Sequence, residues 1–331
     1  MASTITTVPN AGAPVAGSRR SFWSKLREGD EIARLITFLF AASVVFITLL
    51  LIFELWQGSA LPRHKFGFHF LTTQVWDPIL DEFGALPFIY GTLVTSGVAL
   101  LLAVPLGIGA AIFLAELAPA RVSDTLQFFI DLLAAVPSVI YGLLGFLALI
   151  PLMRDYIQPG LKKTLGFLPF FTGPMYGLGF LTAGIVLAIM VIPYIISVSR
   201  EVLLSVPRDQ REAALALGST RWESTWKVVV PFARTGIMGS IFLALARALG
   251  ETMAVTMVIG NVVTISPSLF SPGYSIAAVI ANEFTEATGD LYLQALVELG
   301  LVLFFLTFIL NGLARLLIVA TSQRGSGMGH T

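Results

Sequence analysis

The sequence predicts an all-α integral membrane protein with six transmembrane helices, and three observations predict it. Only 12% of the 331 residues are charged while 56% are hydrophobic, about half the charge of an ordinary soluble domain, and mean hydropathy is +0.85. Six apolar stretches, at 33–56, 91–116, 127–153, 178–200, 236–263 and 291–317, each come close to the ~20 residues that cross ~30 Å of hydrocarbon. Basic residues are distributed unevenly between the connecting segments. With the N-terminus inside, 14 of the 20 Lys and Arg fall on inner segments, five on outer loops (Arg63, Lys65, Arg154, Lys162, Lys163), and Arg247 is left within the membrane. The positive-inside rule then places both termini in the cytoplasm.

Residues 1–32, rich in Ala, Ser, Thr, Pro and Gly, read as a flexible cytosolic tail. The first span has an uncharged stretch, Leu35–Phe53, too extended for a cleaved signal peptide, and is read as a retained anchor. The outer loop 57–90 carries Pro62, Pro78 and Pro87, with Trp56 and Trp76 suited to the interfacial aromatic belt. A short inner turn, Leu117–Thr125, joins the second and third spans. The outer loops Arg154–Gly177 and Thr264–Asp290 are dense in Pro and Gly and are expected to form turns rather than further helices, with no strand-period segment. Pro105, Pro137 and Pro193 fall inside spans, where each removes a backbone donor and allows a kink. The spans make one permease domain, 33–320, and 321–331 close the chain as a cytosolic tail. Cys is absent, which excludes disulfides and thiolate metal sites, and His64, His69 and His330 lack metal-ligand spacing.

Between the fourth and fifth spans lies a polar insert, 205–231. Pro207 suits the first turn of a helix, and Asp209 and Glu212 follow at its positive end. Ala213 to Leu217 are strong helix formers, and Gly218 stands where a left-handed residue ends a helix. Thr220 to Glu223 matches a capping box that starts a second short helix, which Pro231 is expected to close before the fifth span. An element this small must dock on something larger to be ordered.

The fifth span holds the membrane charges. Arg247 and Glu251 stand at i and i+4, on one face of a continuous helix, with Ser240 and Ala244 continuing that face. Phe242, Leu245, Leu249 and Met253 take the opposite one. Small, polar and charged groups opposed by bulky apolar ones point the charges away from lipid. A central Arg costs roughly 2.5–3.5 kcal/mol to insert, which is tolerated when the charge is paired or functional. Two compatible readings follow: a structural Arg247–Glu251 pair, or a guanidinium offered to a passing oxyanion with Glu251 orienting it. In the third span Asp131, Ala135, Ser138, Gly142 and Gly145 share a face, which makes Asp131 a weaker pathway candidate. Glu298, in the sixth span, has no such face and is read as structural.

Glu212-Ala213-Ala214, Gly218 and Val228-x-Val230-Pro231 together resemble the "EAA" signature of permease subunits of ABC importers, with Val at two aliphatic positions. That resemblance implies a type I importer permease fold in which the insert is the coupling helix. Glu212, Ala213, Ala214 and Gly218 would then meet a groove of a cytosolic ATPase. The chain has no Gly-Lys dipeptide and so no P-loop. It is therefore expected to be a transporter subunit that binds no cofactor, with ATP and Mg on the partner ATPase. Arg247 to Asn261, Ala85 to Thr95 and Ala134 to Gly142 resemble the permeases of phosphate-specific importers, with Gly250 to Val255 more like the C-type subunit than the A-type. The resemblance spans most of 85–320. It implies import of inorganic phosphate across a bacterial inner membrane by a heterodimer with an A-type permease, an ATPase dimer and an extracytoplasmic phosphate-binding protein. Membrane lipid is an expected partner and nucleic acid is not. An importer of molybdate or sulfate, or an ion-driven secondary transporter, also remains open.

Overall fold

The computed structural model describes residues 30–326, most of them helical. The tail expected at 1–32 lies outside the described residues apart from its last three, and so do residues 327–331 of the C-terminal tail. Among the described residues, six helices are long and apolar enough to cross a membrane. In chain order the elements that matter are α1 (Asp30–Gly58), α2 (Leu86–Leu117), α3 (Ala120–Ala134), α4 (Ser138–Leu165) and α5 (Phe180–Leu204). The insert helix α6 (Arg208–Ala216), α7 (Arg221–Gly250), α8 (Met253–Ile259), α9 (Ile276–Glu283) and α10 (Asp290–Ser326) follow. The chain divides into two units, 1–54 and 55–331. In the first, the described residues are one helix whose side chains are largely exposed, Phe40 at 70% among them.

In the second unit α2, α5 and α7 pack along their lengths around a core of Ala99, Ala103, Leu187, Val191, Ala244 and Ala248. Small residues on facing helices let the backbones approach, the usual means of helix association in lipid. A polar pair holds α5 to α7, since the Ser199 and Ser240 hydroxyls lie 2.7 Å apart at full burial. Pro105 and Pro193 lie inside α2 and α5, as their place in the spans led one to expect.

Three expectations are corrected. The third span is not one helix over 127–153. Pro137 removes a donor and pushes Val136 out of helical space, so α3 ends at Ala134 and α4 starts afresh at Ser138 behind an extended Pro137 (φ −58°, ψ 139°). The face that ran from Asp131 through Ala135 to Gly145 is thereby split between two helices. The fifth span is displaced and broken. Pro231 does not stop the insert's second helix: it sits at the start of the stretch Val230–Gly250, just after a wide π turn at Thr225–Val229, where no donor is missed. The helix therefore runs from Arg221 to Gly250, and a new one, α8, starts at Met253. The loops, finally, are more structured than their turn residues imply. Residues 57–85 hold short helices at Ala60–Phe66 and His69–Thr72 and a two-stranded ribbon pairing Trp76 with Phe83, and α9 lies within 264–290. Their cause is a shared aromatic core in which Phe70, Phe83, Phe88 and Tyr274 are buried. Trp76 packs edge-on at 4.9 Å from Phe83 and 5.0 Å from Phe88. Trp76 Nε1 and the Tyr292 hydroxyl both donate to Glu283 at 2.7 Å.

Candidate functional site

Arg247 occupies the last turn of α7, three residues before the break. Its guanidinium lies over the Tyr194 ring of α5, 4.4 Å from the centroid, and its Nε is buried with no hydrogen-bond partner among the described residues. Such a cation–π contact contributes about 0.5–2 kcal/mol and leaves the edge of the guanidinium fork unused. Tyr194 is itself held, its hydroxyl donating at 3.0 Å to the carbonyl of Ala134, the last residue of α3. Tyr141 of α4 does the same to Leu133 at 2.7 Å. The C-terminus of α3 and the ring under Arg247 therefore form one constellation.

Glu251 does not sit beside Arg247 on a helix face. The helix ends at Gly250, Glu251 is extended (φ −72°, ψ 126°), and its Oε1 accepts the Ala254 N–H at 3.3 Å, capping α8. Among the described residues no ion pair includes Arg247 or Glu251, so the expected i, i+4 pair is not formed. The break is a tertiary effect. α8 lies against the start of α4, where Gly142 leaves no room for a side chain: a Cβ there would come within 2.7 Å of Met257 Sδ and 3.0 Å of Ala254 Cα. Ser240 and Ala244 are fully buried as expected, but so is Leu249 at 1% exposure, so the apolar face is not uniformly lipid-facing.

Asp131 is exposed at the end of α3, where its Oδ1 accepts from Gln127 at 2.7 Å and from Ser197 at 3.0 Å. Ser197 is three residues from Tyr194 on α5. Asp131 and Arg247 thus approach the same helix without touching.

In the insert, local chemistry acts as the residues dictate. Gly218 is left-handed (φ +86°), its N–H donates to Leu215 O at 2.9 Å, and Ser219 N–H donates to Ala214 O at 3.3 Å, the Schellman pair of bonds. Thr220 and Glu223 form the capping box, at 3.3 Å from Glu223 N–H to Thr220 Oγ1 and 3.0 Å from Thr220 N–H to Glu223 Oε2. Glu212, Ala213 and Gly218 are exposed and Ala214 is half-buried. Nothing lies within 4 Å of a Cβ placed on Gly218.

Sequence reasoning missed the residue that seats this insert. Arg211 reaches Glu116 at the end of α2 (2.8 Å) and donates to the carbonyls of Leu203, at 2.7 Å, and Val206. It joins three elements at the junction of the insert with the membrane helices. Its partner carboxylate is 95 residues away, and its only local signal is its place beside Glu212.

The family model for the binding-protein-dependent transport system inner membrane component matches residues 103–321. The chain belongs to this family. The match begins in α2 and takes in both the insert and Arg247. Among relatives of this permease, the phosphate transport system permease protein PstC of Mesorhizobium japonicum is 47% identical over 290 residues, covering 86% of this chain and 89% of its own length. PstC of Pasteurella multocida is 46% identical over 302 residues, 90% of this chain and 92% of its own. The probable PstC of Methanocaldococcus jannaschii is 39% identical over 293 residues, 86% and 92%. Among solved structures, a bacterial ABC transporter involved in import of the acidic polysaccharide alginate matches with TM-score 0.58 and 16% identity, over 90% of this chain and 98% of that one. The inward-facing methionine ABC transporter matches with TM-score 0.54 and 15% identity, over 74% and 99%. At these identities the likeness is one of fold: this permease has the ABC importer permease architecture.

Proposed function

We propose that this chain is the transmembrane permease subunit of an ATP-driven ABC importer for inorganic phosphate. The observation that carries the substrate is the agreement of relatives 46–48% identical over most of the chain, all phosphate transport permeases. Arg247 adds chemical sense. An arginine fork binds oxyanions through paired donors, and here the ring of Tyr194 holds the group while its buried Nε has no partner among the described residues. Arg247 is the contact we assign to phosphate. Glu251 caps α8 beside it, and Asp131 anchors the end of α3 at a more distant point of the pathway.

The insert is the surface assigned to the ATPase, with Glu212, Ala213, Ala214 and Gly218 as the docking positions. Arg211 transmits movement there to the ends of α2 and α5. The wider assembly we propose has a second permease (the A-type subunit, forming a heterodimer), a cytosolic ATPase dimer that carries ATP and Mg, and an extracytoplasmic phosphate-binding protein. In this reading the permease domain is 33–320 with the insert at 205–231, both termini are cytoplasmic, and residues 57–85 and 264–290 face the binding protein.

The test is ATP-dependent uptake of radiolabelled phosphate into vesicles reconstituted with the assembled transporter. Arg247→Gln keeps a polar side chain and removes the charge, and it is expected to lower uptake at least ~10-fold, the scale of losing one charge-assisted contact. Unchanged uptake would remove Arg247 from the pathway. Unlabelled molybdate or sulfate competing as well as phosphate would overturn the substrate assignment.

A further inference from the structure

A second charged site lies away from Arg247, on the flank of α10. Glu298 is a carboxylate in an apolar span, only 8% exposed, and its Oε2 has no hydrogen-bond partner among the described residues. A buried carboxylate is costly unless a cation or donors satisfy it. Glu298 lines a groove of about 520 Å³ whose walls are otherwise apolar except for Arg63. Arg63 is held in place. It stacks over Trp56 at 3.8 Å and donates to Trp56 O at 2.7 Å and to Ser59 Oγ at 3.2 Å. Its short helix is tied to α10 by the Leu61 N–H, which donates to Gln294 Oε1 at 2.9 Å. Yet no ion pair joins Arg63 to Glu298 among the described residues.

The groove continues past Glu298 along α10 to Ile309, eleven residues or about 16 Å at 1.5 Å per residue. That is about half of ~30 Å of hydrocarbon, the depth of one leaflet. One end therefore offers a cation and an unsatisfied anion, and the rest offers an apolar channel as long as an acyl chain. We propose that this groove binds one phospholipid with a primary-amine headgroup, its phosphate on Arg63, its ammonium on Glu298 and an acyl chain along α10. Charge complementarity selects this occupant. An anionic lipid would set a second negative charge beside Glu298, and a quaternary amine offers the carboxylate no N–H. An apolar helix of another protein would leave Glu298 unsatisfied. The site needs only that α10 spans the membrane, so it stands or falls separately from the substrate assignment.

The test is native mass spectrometry of the full-length chain with the subunits it retains, after equilibration in mixed micelles of equimolar phosphatidylethanolamine, phosphatidylglycerol and phosphatidylcholine. Retained phosphatidylethanolamine is expected to exceed each of the others by roughly five- to tenfold, the scale of one charge-assisted hydrogen bond. Glu298→Gln is expected to bring that ratio close to one, and Arg63→Gln to reduce retention of all three. A second arm uses the otherwise unaltered chain with a photo-reactive phenylalanine analogue at Phe305, on the groove wall, and the same micelles. Cross-linking to phosphatidylethanolamine supports the site. Equal retention of the three lipids, preference for phosphatidylglycerol, or a cross-link to polypeptide instead of lipid would each overturn it.

Discussion

A cation inside a membrane protein is defined by what surrounds its charge, and Arg247 has an aromatic ring where a carboxylate was expected. Tyr194 plays two roles separable by substitution: its ring faces the guanidinium at 4.4 Å and its hydroxyl tethers Ala134. Tyr194→Phe keeps the ring, and phosphate KM is expected to stay within about twofold of the parent. Tyr194→Leu removes it and is expected to raise KM roughly 2- to 30-fold, the equivalent of 0.5–2 kcal/mol of cation–π contact. Uptake kinetics in reconstituted vesicles separate the two, and equal damage from both variants would show that the tether to α3 is the part that matters. Arg211 is the second residue whose surroundings define it. Arg211→Ala loses the Glu116 pair and both backbone acceptors, roughly 2 kcal/mol for hydrogen bonds to a partly buried charged group. Phosphate uptake is expected to fall while ATP hydrolysis by the assembled complex persists. Hydrolysis and uptake falling in proportion would argue against a transmitting role.

At the scale of elements, the insert is a helix, a left-handed glycine and a capped second helix, and its turn can be tested alone. At φ +86° a Cβ at Gly218 meets no neighbour, so Gly218→Ala costs backbone strain only, about 1 kcal/mol. Gly218→Asn is expected to cost less, because Asn tolerates the left-handed region. Limited trypsin digestion at Arg211 and Arg221 measures this, with cleavage faster in the Ala variant than in the Asn variant. This turn was legible in the sequence because both caps depend on residues within five positions of one another. The count of six spans was legible for a similar reason, since hydropathy is a local sum. The two helix breaks were not. Pro137 reads as a kink until α3 is seen to end at it. The break at Glu251 has no proline and arises because α8 must fit against Gly142, more than a hundred residues away. Tyr194 beneath Arg247, Glu116 beneath Arg211 and the aromatic core that orders the loops are likewise pairings at long sequence distance, invisible to periodicity.

For the whole molecule, the two ends of the helix bundle carry different chemistry, and that difference predicts an orientation. The end bearing the insert holds Arg200, Arg208, Arg211, Arg221 and Lys227, with Arg200 pairing to Asp124 at 3.3 Å and Lys227 to Glu223 at 3.2 Å. The opposite end holds the aromatic core and the loop 264–290, which lacks any Lys or Arg. Basic residues beside spans are retained on the cytoplasmic side during insertion, so the insert end is expected to face the cytoplasm. The chain offers a direct measurement because it contains no cysteine: any thiol introduced is the only one. Gln74, Lys163 and Gln210 are each exposed, which makes them sites for single substitutions that disturb no buried contact. Treated with a membrane-impermeant maleimide, intact cells carrying Gln74→Cys or Lys163→Cys are expected to label, while Gln210→Cys labels only after permeabilisation. The reverse pattern would put the insert outside, out of reach of any cytosolic ATPase, and would remove the coupling role while leaving the fold intact. With the expected pattern, Arg211 sits on the ATPase side of the membrane and α7 becomes the covalent route from it to Arg247. The helix that begins at the insert's capping box ends three residues after Arg247, so a displacement at the insert has one helix through which to reach the residue we assign to phosphate.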